Sequence, residues 1–113
     1  MTSRILIVED DETLRGLLLE DLPQMGFETV ACGTLREAHE RISEQVFHAL
    51  LLDCRLPDGT GAEFYQALMA ERSVPPVVFM TNFPDVAQAV SLIKEGAADY
   101  VIKPFAMDDL AAR

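Results

Sequence analysis

The chain has 113 residues, half of them apolar and a quarter charged, which is enough for one domain with one core and too short for two. Nine basic residues against nineteen acidic ones leave a formal charge of −10, and no Lys/Arg cluster offsets it, so this segment should not bind nucleic acid by itself. The longest apolar runs, Ile5–Val8 and Ala49–Leu52, fall far short of the roughly 20 residues needed to cross a bilayer, which excludes a helical membrane span.

In chain order, Met-Thr-Ser-Arg leads directly into Arg4–Val8, the first strand-like run, with no charged leader and no cleavage site. A cytoplasmic protein is the expectation. Leu14, Leu17, Leu18, Leu22 and Met25 then recur at helical spacing, with Gly26 placed where such a helix should stop. Pro23 falls inside that stripe and would cost about 3 kcal/mol in a helix interior, so a kink or an early end is expected there. Glu28–Cys32 is the second strand. Thr34, with Glu37 three residues on, has the capping-box pattern and opens a helix carrying Leu35, Ala38 and Ile42. Ala49–Leu52 is the third strand, and Phe64, Tyr65, Leu68 and Met69 mark the helix after it. Pro76–Met80 is the fourth strand, followed by a helix with Val86, Val90 and Ile93 on one stripe and Gly96 at its end. Asp99–Ile102 is the fifth strand. The remaining residues, 106–113, offer barely two helical turns, so the chain is expected to stop within its final helix and to belong to a larger parent with an output domain.

Several of these strands are continuous apolar runs rather than alternating ones, which suits strands buried on both faces. Their starts lie roughly 20 to 30 residues apart, room for a crossover helix each time. The product is an α/β domain over residues 1–113, a parallel sheet covered on both faces. Cys32 and Cys54 lack the spacing of a metal knuckle and read as reduced thiols. His39 reads as a solvated helix residue and His48 has no paired ligand, Asp58-Gly59 reads as a turn in which Asp58 could also steer partners near the site, and Met69, Met80 and Met107 read as packing residues.

Ligands of open parallel sheets bind beyond the carboxyl ends of the strands. Here those ends carry Glu9-Asp10-Asp11-Glu12, then Asp53, then Thr81, then Lys103. Taken singly, Asp11 could cap the first helix, Thr81 could cap the fourth, and Lys103 could be a surface lysine. Asp53 is harder to dismiss, because a carboxylate directly behind a buried apolar strand is costly without a cation, a donor or water. Two carboxylates about 5 Å apart at an effective dielectric near 20 repel by roughly 3 kcal/mol. A hard divalent cation relieves that repulsion, and Mg²⁺ suits a small carboxylate site that keeps waters and phosphate oxygens. One aspartate can then act as nucleophile toward a phosphoryl group, with Lys103 and Thr81 suited to its oxygens.

With these residues in place, the sequence resembles the receiver (CheY-like) domains of bacterial two-component response regulators. Four segments carry the resemblance: Ile-Leu-Ile-Val-Glu-Asp-Asp-Glu at 5–12, Leu-Leu-Leu-Asp-Cys-Arg-Leu-Pro-Asp-Gly-Thr-Gly at 50–61, Val-Val-Phe-Met-Thr at 77–81 and Asp-Tyr-Val-Ile-Lys-Pro-Phe at 99–105. The resemblance implies a flavodoxin-like (βα)5 fold with strand order 2-1-3-4-5. It implies Asp53 as phosphoacceptor, with Mg²⁺ held by Asp10, Asp11, Asp53 and the backbone carbonyl of Arg55. Thr81 would be the switch hydroxyl, Tyr100 the aromatic switch, Lys103 the phosphate-pairing lysine, and Lys103-Pro104 a cis bond. A sensor histidine kinase would be the donor. The surface of the fourth helix, fifth strand and fifth helix would carry the response to a homodimer or an output domain.

The stretch from Asp85-Val86 to Gly96-Ala97 resembles the nitrogen-regulator (NtrC) class, with transcriptional outputs. Asn82 departs from the small residue usual after Thr81, and either it and Phe83 restrict access to the phosphoryl group or Asn82 is only a turn former before Pro84. Two competing readings stand beside a non-enzymatic switch. One is a metal-dependent phosphohydrolase using Asp53, against which Arg55 replaces the second aspartate such enzymes often carry. The other is an unphosphorylated scaffold, which would not require the full residue set.

Overall fold

The computed structural model describes residues 3–81 and 86–103. Along the chain these form β1 (Arg4–Val8), α1 (Glu12–Gln24), β2 (Glu28–Cys32), α2 (Leu35–Glu44), β3 (Ala49–Asp53), β4 (Arg55–Leu56), β5 (Gly59–Thr60), α3 (Gly61–Glu71), β6 (Val77–Thr81), α4 (Val86–Lys94) and β7 (Asp99–Ile102). The main sheet is parallel throughout, in the order β2-β1-β3-β6-β7. Counting only its five strands, that is the expected order 2-1-3-4-5. Two-residue strands β4 and β5, which no sequence periodicity announces, form a separate antiparallel hairpin between β3 and α3.

Because side chains alternate across a strand, each central strand feeds two cores. Leu6, Val8, Leu50, Leu52, Val77 and Phe79 face one side, where Ala38, Tyr65, Leu68 and Leu92 of α2, α3 and α4 cover them. Tyr65 and Phe79 meet edge to face with ring centroids 5.6 Å apart. Ile5, Ile7, Leu51, Met80 and Val101 face the other side, packed against Leu18 and Leu22 of α1.

The helix stripes are narrower than the sequence suggests. Leu17 and Met25 of the expected α1 stripe are exposed, and on α4 the buried residue is Leu92, with Val90 and Ile93 exposed. Met69 is exposed as well, whereas Met80 is fully buried. Pro23 is accommodated in the last turn of α1, which ends one residue later at Gln24. Gly26 and Gly96 follow their helices with φ of 95° and 112°, the left-handed geometry of a glycine stop. Thr34 caps α2 by accepting the Glu37 amide at 3.2 Å, while its hydroxyl donates to the Glu37 carboxylate. Among the described residues, no helix is long and apolar enough to cross a membrane.

Strand order reverses across β1, since β2 lies on one side of it and β3 on the other. The crevice of such a sheet lies at the carboxyl ends of those strands, which here bear Glu9, Asp10 and Asp53.

Candidate functional site

Glu9 continues β1 by one residue, its amide donating to the Cys32 carbonyl at 3.0 Å. Its backbone carbonyl accepts from the Arg15 guanidinium at 2.9 Å, and its carboxyl is wholly buried. Asp53 ends β3 and is 6% exposed. Lys103 follows β7, tied by its amide to the Thr81 carbonyl at 2.7 Å. Its ammonium enters the site and donates to Asp53 Oδ2 at 3.0 Å and to Glu9 Oε1. Asp53 Oδ1 accepts the amide of Arg55 at 3.2 Å. Carboxylate oxygens of Glu9, Asp10 and Asp53 all lie within 4.8 Å of one another, with Asp10 on the exposed side.

Three carboxylates and one ammonium leave an excess of negative charge. Burial, together with its hydrogen bond to Asp53, raises the Glu9 pKa from 4.5 to about 7, against the opposing pull of Lys103. Burial also works against the Lys103 ammonium, but its bonds to Glu9 and Asp53 more than compensate and hold its pKa above the usual lysine value. An all-oxygen carboxylate set carrying surplus charge fits a hard divalent cation such as Mg²⁺.

Asp11, expected from the sequence in the acidic pair, is not part of this cluster. It is the N-cap of α1, and its Oδ1 accepts the amides of Thr13 and Leu14 at 2.9 and 3.2 Å. The missed residue is Glu9, and the signal was the placement of Asp11 directly before the helix, where a capping carboxylate belongs. Opposite effects are therefore expected of the two acids. Glu9→Gln should weaken Mg²⁺ binding, while Asp11→Asn should lower the melting temperature slightly and leave Mg²⁺ binding intact.

The raised pKa of Glu9 also sets a pH dependence. In metal-free protein the folded state keeps a proton that the unfolded state releases, so this contribution to stability is full below 4.5 and lost as pH rises through about 7. Thermal melts in chelator should show that loss, and Glu9→Gln should remove it. A slope unchanged by Glu9→Gln would contradict the assignment.

Thr81 is the last residue of β6 and 4% exposed. Tyr100 lies beside Phe79 in the sheet register, half-buried, and its hydroxyl donates to Gln88 Oε1 of α4 at 3.0 Å. The Cys54 thiol is buried, and that burial raises its pKa. Cys32 is likewise a buried free thiol. His48 accepts the Arg4 amide at 2.9 Å, and His39 contacts Glu71 at 3.1 Å. Asn82, Phe83, Met107 and the Lys103-Pro104 bond lie outside the described residues.

The response regulator receiver domain model matches residues 5–113. The chain belongs to that family. It is 34% identical over 114 residues to the transcriptional regulatory protein CrdR of Helicobacter pylori, covering 100% of this chain and 54% of CrdR. It is 34% identical over 108 residues to the regulatory protein AtoC of Escherichia coli, covering 96% of this chain and 23% of AtoC. The receiver domain thus spans between about a quarter and about a half of the curated relatives it matches. Among solved structures, the non-phosphorylated receiver domain of HemR from Leptospira biflexa superposes with a TM-score of 0.90 at 31% identity, over 98% of this chain and 90% of that one. The BeF3-activated DrrB receiver domain gives 0.87 at 31% identity, over 100% and 94%. The fold is that of the receiver domains, and the chain is a receiver domain of two-component signal transduction.

Proposed function

We propose that Asp53 is the phosphoacceptor of this receiver domain, receiving its phosphoryl group from a sensor histidine kinase in the presence of Mg²⁺. The observation that carries this reading is the Asp53 carboxylate, held between the Lys103 ammonium and the Glu9–Asp10 pair at the carboxyl end of β3. Asp10, Asp53 and the Arg55 carbonyl would hold the ion, with Glu9 beside them in place of Asp11. When bound, Mg²⁺ neutralises the carboxylates and the phosphoryl oxygens, which otherwise repel.

Asp53 presents one oxygen to the Arg55 amide and the other to Lys103, so the carboxylate is oriented before any donor arrives. A carboxylate oxygen forms the new bond to phosphorus as the donor's P–N bond, or the P–O bond of acetyl phosphate, breaks and the leaving group departs with the electron pair. Lys103 then exchanges a carboxylate for a phosphoryl oxygen. Thr81, buried next to the site, supplies a hydroxyl to another, and Tyr100 answers by leaving or keeping Gln88. That is a local charge change biasing a two-state element.

The outcome is read on the α4–β7 face, where exposed Val90 and Ile93 leave an apolar strip for a second copy or an output domain. The relatives' names point to a transcriptional output. Arg55, where a hydrolase would carry its second aspartate, supports a switch over an enzyme with turnover.

Incubation with Mg²⁺ and acetyl phosphate should add one phosphoryl group by intact mass, and Asp53→Asn should abolish it. Beryllofluoride should shift amide resonances near Thr81 and Tyr100. Absence of any Mg²⁺-dependent response, or rapid turnover of small phosphate esters, would sink the proposal.

A further inference from the structure

Asp58 lies in the turn of the β4–β5 hairpin, yet its carboxylate bonds outside that hairpin. Oδ1 accepts the Leu35 amide at 2.9 Å and Oδ2 the Arg36 amide at 3.0 Å, the first two amides of α2. These are orphan donors at the positive end of a helix, where a carboxylate is favoured. The helix's own cap, Thr34, serves only the Glu37 amide. The turn lies close to the start of α2 here, so that a Cβ added at Gly59 would meet the Leu35 side chain at 3.1 Å.

The consequence falls on the hairpin. β4 is only Arg55–Leu56, it pairs with β5 alone, and it has no place in the five-stranded sheet. Its beginning is fixed by the bond from the Arg55 amide to Asp53, and its return by the bond from the Gly61 amide to the Cys54 carbonyl at 2.9 Å. Between those points the turn is docked by Asp58 onto α2. Two amides separated from it by 22 and 23 residues therefore help decide where the Arg55 peptide lies.

We propose that Asp58 is a positioning residue for the metal site: by fastening the β4–β5 turn to the start of α2, it sets the Arg55 carbonyl for Mg²⁺. The inference rests on the reading of the site given above, in which that carbonyl is a ligand. It also makes the first turn of α2 part of the supporting shell of the phosphoacceptor.

Two alternatives predict different behaviour. A merely structural cap would cost stability without touching the metal, and a simple loss of one exposed negative charge would act through space and be screened by salt. Calorimetric titration of Mg²⁺ into the unsubstituted chain, Asp58→Ala, Thr34→Ala and Asp53→Asn separates them. Asp58→Ala should bind Mg²⁺ about tenfold more weakly, as loss of an outer-shell partner typically does, and the deficit should persist at high ionic strength. Thr34→Ala, which loosens the same helix start, should lower the melting temperature while keeping Mg²⁺ affinity. Equal Mg²⁺ affinity in Asp58→Ala and Thr34→Ala, or a deficit that vanishes in salt, overturns the proposal. Absence of Mg²⁺ binding by the unsubstituted chain, or native affinity in Asp53→Asn, overturns the site reading and this inference with it.

Discussion

Lys103→Met is expected to cost about 3 kcal/mol of stability in chelator, because it leaves buried carboxylates without their counter-ion. The side chains concerned are 7% exposed for Lys103, 9% for Asp53 and 0% for Glu9, so little water can take the ammonium's place. A domain of this size has roughly 5 to 15 kcal/mol in all, and the loss should be plain in urea denaturation. Saturating Mg²⁺ should restore more stability to the variant than it adds to the unsubstituted chain, since the ion then supplies the positive charge that Lys103 no longer brings to the three acids. Combining Lys103→Met with Glu9→Gln should cost less than the two changes summed, as expected for groups in direct contact. Phosphorylation by acetyl phosphate should be about a hundredfold slower in Lys103→Met even at saturating Mg²⁺, the usual effect of removing one preorganised donor. Native stability in chelator would show that Lys103 is not the counter-ion the geometry makes it.

Much of this arrangement is legible in the residues themselves, and the reason is burial. A carboxylate directly behind Leu50-Leu51-Leu52 has to have a partner, and a parallel sheet brings the ends of neighbouring strands together. Asp53, Thr81 and Lys103 could therefore be named before any geometry was known. Glu9 and Asp11 could not be told apart so easily. Four acids run consecutively from Glu9 to Glu12, and which of them face the crevice depends on where strand gives way to helix. Element boundaries are set by hydrogen bonds rather than by hydrophobic period, and a slip of one or two residues exchanges a member of the carboxylate cluster for a helix cap. The hold of Asp58 on α2 was not legible, because its partners there are distant in sequence. On α4, an apolar stripe at Val90 and Ile93 reads as core from its spacing alone, whereas the structure buries Leu92 and leaves those two residues exposed.

Glycine at 61 should prove as necessary as the charged residues. A Cβ built there would lie 2.3 Å from the backbone oxygen of Asp53 and 3.2 Å from the Leu52 side chain, and a backbone atom cannot step aside as the tip of a side chain can. Gly61→Ala is therefore expected to cost at least about 2 kcal/mol, in the range of core overpacking. Gly16 offers the internal comparison. It lies within α1 with nothing inside 4 Å of its Cβ position, so Gly16→Ala should stabilise by about 0.5 to 1 kcal/mol through helix propensity. Urea denaturation of the two variants should move in opposite directions. The functional effect of Gly61→Ala should exceed its thermodynamic one, because the strain is relieved where Asp53 leaves β3, and a misplacement of about 1 Å at a reacting group can cost on the order of a hundredfold in rate. At a temperature where the variant remains folded, its phosphorylation by acetyl phosphate should therefore still be slow, and restoring stability with Gly16→Ala should not recover it. Recovery in that double variant would mean that Gly61 serves the fold alone, and that the position of the Asp53 backbone tolerates more displacement than its close contacts imply.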